Sequence, residues 1–459
     1  MKNRKITAIR CMVGIFCIAS VGAQAAMIAN PIISLGKPTY GSSGGTAALV
    51  DGKFGTSSTW TVTNGSWVAI KVGAGPTKVF FNWNNPDYSW SDTIDKNGAY
   101  QYCPEGTIVP VNYDILTSAN STTGADGTWT KVDSARGNTV SARGHLIDFT
   151  GASWVKMNIT TGGGTLDEIE VFDCSNGAED IWFFPGTSIS ANTYKAYPPA
   201  QNFADLVATA HPAFHPAMIR GGIPCIYSTQ MAAYISSYLD MARNAHYWAI
   251  EMGTNDVWGG STANLASFTR SMQLIIDSCK AAGIQPMIAR MIATDSALAG
   301  WEVNPAFLKA IDSLTTVNDL IAGPDLYTWF KTHPADYVVE SGNSGIHPND
   351  SGAAHIQQLW ATTVNSLYTA TAVVNPSLAN HASGNSFHAL LATSMNGRLM
   401  LRSQSPGTVA IFSLSGSLIG KPYKLSAGTH AASAALRSGC YLVKFTSNNY
   451  METTPVVVQ

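Results

Sequence analysis

Between residues 28 and 175, apolar positions come in short runs broken by Gly, Ser, Asn and Thr: WVAIKV (67–72), KVFFNW (78–83), VNYDIL (111–116) and WVKMNI (154–159). Runs of this length and spacing predict an antiparallel β-sandwich. From 178 to 370 the period changes. Leu265, Phe268, Met272, Ile275, Ile276 and Cys279 share one helical stripe, which follows YWAIEMG (247–253) and precedes QPMIARMI (285–292). Strand, helix and strand in succession predict a parallel sheet covered by helices, an α/β three-layer domain. A polar stretch at 371–386 reads as a linker. Beyond it, TVAIFSLSG (408–416) and CYLVKFTS (440–447) predict a small C-terminal β-sandwich over 387–459. A chain of 459 residues is too long for a single core, so several domains are expected in any case.

Residues 1–25 follow another rule: a basic start, an apolar run from about Cys11 to Val21, and Ala23-Gln24-Ala25, the small-x-small pattern of a secretory cleavage site. The expected product begins at Ala26 and is exported and soluble, since no later stretch approaches the roughly 20 apolar residues of a bilayer span. Charged residues are 12% of the chain, against roughly 25% in an average soluble protein. A surface of Ser, Thr, Asn and Gly suits a neutral, hydroxyl-rich partner. With a formal net charge of -2 and no basic run beyond the leader, nucleic acid is excluded as a partner. Past the leader stand Cys103, Cys174, Cys225, Cys279 and Cys440, without CxxC spacing, which argues against zinc and against a dense disulfide framework. Cys103 and Cys174 are the candidate pair for a single bridge.

Four segments of the middle region carry candidate chemistry. In FFPGTSIS an apolar run ends at Pro185-Gly186, leaving Ser188 in the turn at a strand's carboxyl end, where open α/β sheets place ligands. AMIRGGIPC closes a short strand on Gly221 and Gly222, EMGTNDVWGG ends another on Gly253-Thr254-Asn255-Asp256, and GIHPNDSGAAH sets His347 before a helix opened by Asp350 or Ser351. Singly these read as a helix cap, a tight turn, a strand end and a core histidine. In this order they resemble the GDSL esterases, or SGNH hydrolases, over about Glu179 to Leu367, with GTND and GIHPN the most specific parts.

The resemblance implies a flavodoxin-like parallel sheet, Ser188 as nucleophile and His347 as general base. It implies an oxyanion hole of the Ser188 and Gly222 N–H groups and the Asn255 amide, with no cofactor for catalysis. The chemistry is sound on its own terms: a serine hydroxyl needs a neighbouring imidazole to remove its proton, and an amide donates to an oxyanion without titrating. The chain departs from the pattern at two places, with Thr187 where the family carries Asp before the serine and Ser344 where it carries Asp before the histidine. Candidates for orienting His347 are therefore a backbone carbonyl, Ser344 or Glu340.

The first region, through TAALVDGKFGTSSTW (46–60) and LDEIEVF (166–172), resembles galactose-binding-like, discoidin-type modules. That implies sugar binding and a structural calcium, with Asp51 and Glu168 as the nameable ligands. Tyr88, Trp90, Tyr100 and Tyr102 in the long insert 84–106 are candidate sugar-stacking residues, whereas Trp60 and Trp67 are expected in the core. The tail resembles C-terminal β domains that some bacteria attach to secreted polysaccharide-degrading enzymes for sorting or attachment, implying secretion or cell-surface machinery as partner. The expected function is a secreted bacterial carbohydrate esterase removing acetyl groups from plant cell-wall polysaccharide such as xylan. The alternative is a noncatalytic glycan-binding or adhesion protein with a decayed hydrolase domain.

Overall fold

A computed structural model describes residues 27–55, 57–86, 109–196, 201–339, 344–369, 390–395, 398–403, 406–413, 418–426, 428–431, 439–447 and 450–458. The chain forms two compact units, Met1–Ala372 and Val373–Gln459. Tyr88, Trp90, Tyr100, Tyr102, Cys103 and Glu340 lie outside the described residues, as do the leader and the linker. Among the described residues no helix is long and apolar enough to cross a membrane.

The first unit opens with antiparallel sheets. Five strands run in the order Thr39–Gly41, Trp67–Lys71, Trp154–Gly162, Pro110–Ser118, Thr130–Ala135, and three in the order Glu168–Asp173, Lys78–Asn84, Ala142–Asp148. Val68, Ile70, Phe81, Trp83, Ile115, Met157 and Val171 fill the space between them. Trp60 belongs to this core, but Trp67 does not: it sits half-buried under the Lys156 ammonium, 4.8 Å from its ring centroid. The reason is the two-residue period of a strand, which turns Val68 and Ile70 inward and so Trp67 outward. Cys174 is a buried free thiol rather than half of a bridge, and burial pushes its pKa up to about 12.

The parallel sheet follows, in the order Ala217–Gly222, Ile181–Gly186, Tyr247–Ile250, Gln285–Ile288. Its central strand is buried on both faces, as an apolar run without alternation requires. Ile181 and Phe183 pack toward the helix Leu265–Ala281, whose stripe of Phe268, Met272, Ile275, Ile276 and Cys279 is fully buried. Trp182 and Phe184 pack toward Phe203–Ala210 and Asp350–Thr363. Because the first strand is flanked by the second and third, the chain leaves its two sides in opposite directions, which opens a crevice at the carboxyl ends.

The sandwich and the parallel sheet share a core. Lys78–Asn84 is buried on both faces beyond its first residue: Val79, Phe81 and Trp83 point into the sandwich, while Phe80 packs with Phe183 and Ile219. Asn82 Nδ2 donates to the Met218 carbonyl at 2.8 Å. Arg220 of the second parallel strand reaches back to Asp167, with Nη1 to Oδ2 at 2.6 Å and Nη2 to Oδ1 at 2.7 Å, both side chains wholly buried.

The second unit is antiparallel throughout its described strands, with Leu390–Met395, Arg398–Ser403 and Gly428–Ala431 in one sheet and Leu418–Leu425, Gly407–Ser413, Gly439–Ser447 and Tyr450–Val458 in another. Leu401, Val409, Ile411, Val443 and Phe445 are buried within it.

Candidate active site

The central parallel strand ends at Gly186, and Ser188 opens the short helix Ser188–Ala191 immediately after it. Thr187 caps that turn, its hydroxyl oxygen accepting the Ile189 N–H at 3.2 Å. From the far end of the chain, His347 arrives on the loop before Asp350–Thr363. Asn349, rather than Asp350 or Ser351, caps that helix: its Oδ1 accepts the Gly352 N–H at 3.0 Å, and its Nδ2 holds the Ala335 and Tyr337 carbonyls. A short amide one residue earlier reaches the third N–H of the helix and still ties down the preceding loop. The two arms meet. His347 Nε2 lies 2.8 Å from Ser188 Oγ, and both side chains are buried.

Two glycines make the approach of neighbouring backbone feasible. A Cβ built on Gly222 would fall 2.3 Å from the Ala191 nitrogen, and one on Gly186 would fall 2.1 Å from Ser190 Oγ. Gly222 thus lies against the turn that carries Ser188. Asn255 stands in the turn following the neighbouring strand, its Nδ2 donating to the Ile226 carbonyl at 2.9 Å. A primary amide has two such hydrogens, so one donor serves as anchor and the second is available for other work. Ser344 lies in the turn three residues before His347, and Glu340 lies outside the described residues.

Burial pushes the His347 imidazole down from 6.5 to about 4. The neutral ring, able to accept a proton from Ser188, is therefore the resident form well into the acid range. Activity is expected to hold from neutral pH to about pH 5 and to be half-lost near 4; a midpoint near 6.5 in the kcat/KM profile would contradict it. The stability effect has a definite sign. Below 6.5 the unfolded chain takes up a proton that the folded one refuses, so this contribution is complete above 6.5 and is lost as pH falls toward 4.

Glu251 was not singled out by sequence reasoning. It is buried just past the strand Tyr247–Ile250 and accepts the Thr187 hydroxyl at 3.1 Å and the Thr254 hydroxyl at 3.4 Å. The Thr187 hydroxyl thus accepts from the turn that carries Ser188 and donates to a carboxyl on the next strand. The signal was present as an acid inside the apolar run YWAIEMG, but no local pattern said what it faced. Burial raises its pKa to about 7, against the pull of both threonines. A raised carboxyl acts opposite to His347: between 4.5 and about 7 the unfolded chain releases the proton first, so stability declines as pH rises. Glu251→Gln, uncharged at any pH, is expected to remove that decline in chemical denaturation series run from pH 5 to 8. An unchanged slope would show that Glu251 is ionised in the fold.

In the sandwich, the Gly52 N–H donates to Glu168 Oε1 at 3.2 Å, and Oε2 is buried without a hydrogen-bond partner. Asp51 accepts the Lys53 N–H and the Ser58 hydroxyl. Burial, then Glu170, pushes the Glu168 pKa up to about 10, with Asp51 contributing. Among the described residues no group of three or more His, Cys, Asp or Glu side chains is placed to hold a metal ion.

No protein-family model and no curated protein sequence matches the chain. Among solved structures, it is similar to a lipase/acylhydrolase from Enterococcus faecalis at 17% identity, over 40% of this chain and 95% of that one, with a TM-score of 0.33. An acetyl xylan esterase variant from Geobacillus stearothermophilus aligns at 14% identity, over 40% of this chain and 94% of that one, with a TM-score of 0.31. A chitosan-binding module of a Paenibacillus chitosanase/glucanase, solved with chitotriose, aligns at 24% identity, over 30% of this chain and 98% of that one, with a TM-score of 0.22.

Proposed function

We propose that the chain is an exported carbohydrate esterase that removes acetyl groups, or acyl groups of similar size, from a plant cell-wall polysaccharide such as xylan. The observation that carries the reaction class is the 2.8 Å contact between His347 Nε2 and Ser188 Oγ at the carboxyl end of a parallel sheet. Ser188 Oγ bonds to the acyl carbon as its proton passes to Nε2, and the carbonyl electron pair moves onto oxygen. The Ser188 and Gly222 N–H groups and the second hydrogen of the Asn255 amide receive that oxyanion. When the pair returns, the sugar oxygen departs with the proton from Nε2. Water then attacks the acyl-serine, giving its proton to the same nitrogen, and the acid leaves as Ser188 is reprotonated.

The substrate class is supported by the low charge of the chain, the export pattern at its start and the aromatic insert of its first region. The test is acetate release from acetylated xylan by the wild type and by Ser188→Ala. Release that the substitution abolishes supports the esterase. Equal background signals would leave the glycan-binding reading in its place.

A structural calcium belongs to the same reading, held by Asp51 and Glu168 together with backbone carbonyls of the 48–52 loop. Its support is the partnerless buried oxygen of Glu168, a cost that a bound cation relieves. Calcium is expected to raise the thermal midpoint, chelation to lower it, and Glu168→Gln to abolish the difference. A midpoint indifferent to both would rule the ion out.

A further inference from the structure

Two loops leave the carboxyl end of the parallel sheet beside the serine–histidine pair, and each carries a tryptophan. The first follows Tyr247–Ile250 and contains Asn255; the Trp258 backbone N–H donates to the Asn255 backbone carbonyl at 3.3 Å, so Trp258 closes the turn that Asn255 opens. The second follows Gln285–Ile288. Its Thr294 hydroxyl donates to the Trp301 carbonyl at 2.6 Å, and its Asp295 N–H donates to the carbonyl of Gly345, two residues before His347. Asn304 Nδ2 ties the loops together at the Gly260 carbonyl, 3.2 Å away. The indoles themselves meet, with centroids 5.5 Å apart and planes tilted by 47°.

Trp258 remains 47% exposed in this braced position. A large ring kept in water on a loop tied to the catalytic turn has no packing role that requires its exposed half. The loop that carries Trp301 also carries Asp295, Ser296 and Glu302, with Ser296 Oγ at 3.2 Å and Lys331 Nζ at 2.7 Å both donating to Glu302 Oε1. A flat apolar face on loops that also carry hydroxyl and carboxylate groups matches a pyranose, which has C–H groups on its faces and hydroxyls at its rim.

We propose that Trp258, braced by Trp301, is the stacking platform for a pyranose ring of the polysaccharide next to the ester being cleaved. The platform rests on the esterase reading for its register, yet its binding is measurable without turnover. Calorimetric titration of acetylated xylo-oligosaccharide into Ser188→Ala is expected to give a Kd that Trp258→Ala in the same background weakens about tenfold or more. Trp258→Tyr, which keeps a flat ring, is expected to recover most of it. With Ser188 intact, Trp258→Ala is expected to lower kcat/KM about tenfold on the oligosaccharide and to leave p-nitrophenyl acetate hydrolysis unchanged. Binding that Trp258→Ala does not weaken overturns the platform, as does an equal loss on both esters or a loss confined to long-chain acyl esters, which would assign the ring to the acyl side. If wild type cleaves neither ester while Trp258→Ala weakens binding, the esterase reading fails and the platform stands.

Discussion

His347→Ala is expected to lower kcat/KM for an acetyl ester by on the order of 10⁴- to 10⁶-fold, and Ser188→Ala by a similar factor. In the proposed mechanism both side chains serve one proton transfer across their 2.8 Å contact, so removing either removes the step. The double variant should therefore be no slower than the worse single one, because groups acting as a unit are not additive. Residual activity in both variants would reflect the oxyanion donors alone. If the two losses instead multiplied, the residues would be acting in separate steps and the proposed relay would be wrong. The readout is initial rates on p-nitrophenyl acetate and on acetylated xylan, with circular dichroism showing that each variant folds.

Asp167→Ala is expected to cost about 3–5 kcal/mol of stability, the usual range when one member of a buried ion pair is removed. The pair is bidentate and fully buried, Asp167 Oδ2 also accepts the Gly55 N–H at 2.8 Å, and the guanidinium lies 4.2 Å over the Phe54 ring. Truncation strands the Arg220 charge between the sandwich and the parallel sheet with no solvent to reach. The apolar double replacement Asp167→Leu/Arg220→Met should recover most of the loss, because it removes the uncompensated charge. Guanidinium denaturation of the single and double variants provides the measurement. A loss below about 1 kcal/mol for Asp167→Ala would mean that water enters the interface.

The strands and the long helix were legible because their apolar spacing is local. The stripe from Leu265 to Cys279 carries its own helical period, and the apolar run that ends at Pro185-Gly186 in FFPGTSIS marks a strand end. Ser188 and His347 were singled out for a different reason: each alone reads as a helix cap or a core histidine, and only the order of four short segments made them candidates. What stayed hidden depends on partners distant in sequence. Nothing around Asn82 shows that its amide would reach Met218, and nothing around Arg220 names Asp167 as its counter-charge. Trp67 lies outside the core its hydrophobicity predicts, because the pleat that turns Val68 and Ile70 inward turns it outward.

The bond from Thr187 to Glu251 limits what can replace either residue. Thr187→Asp would press a second carboxyl against Glu251, which is already denied water and holds its proton to about pH 7. Positions 187 and 251 therefore form an epistatic couple, in which a substitution at one sets what the other tolerates.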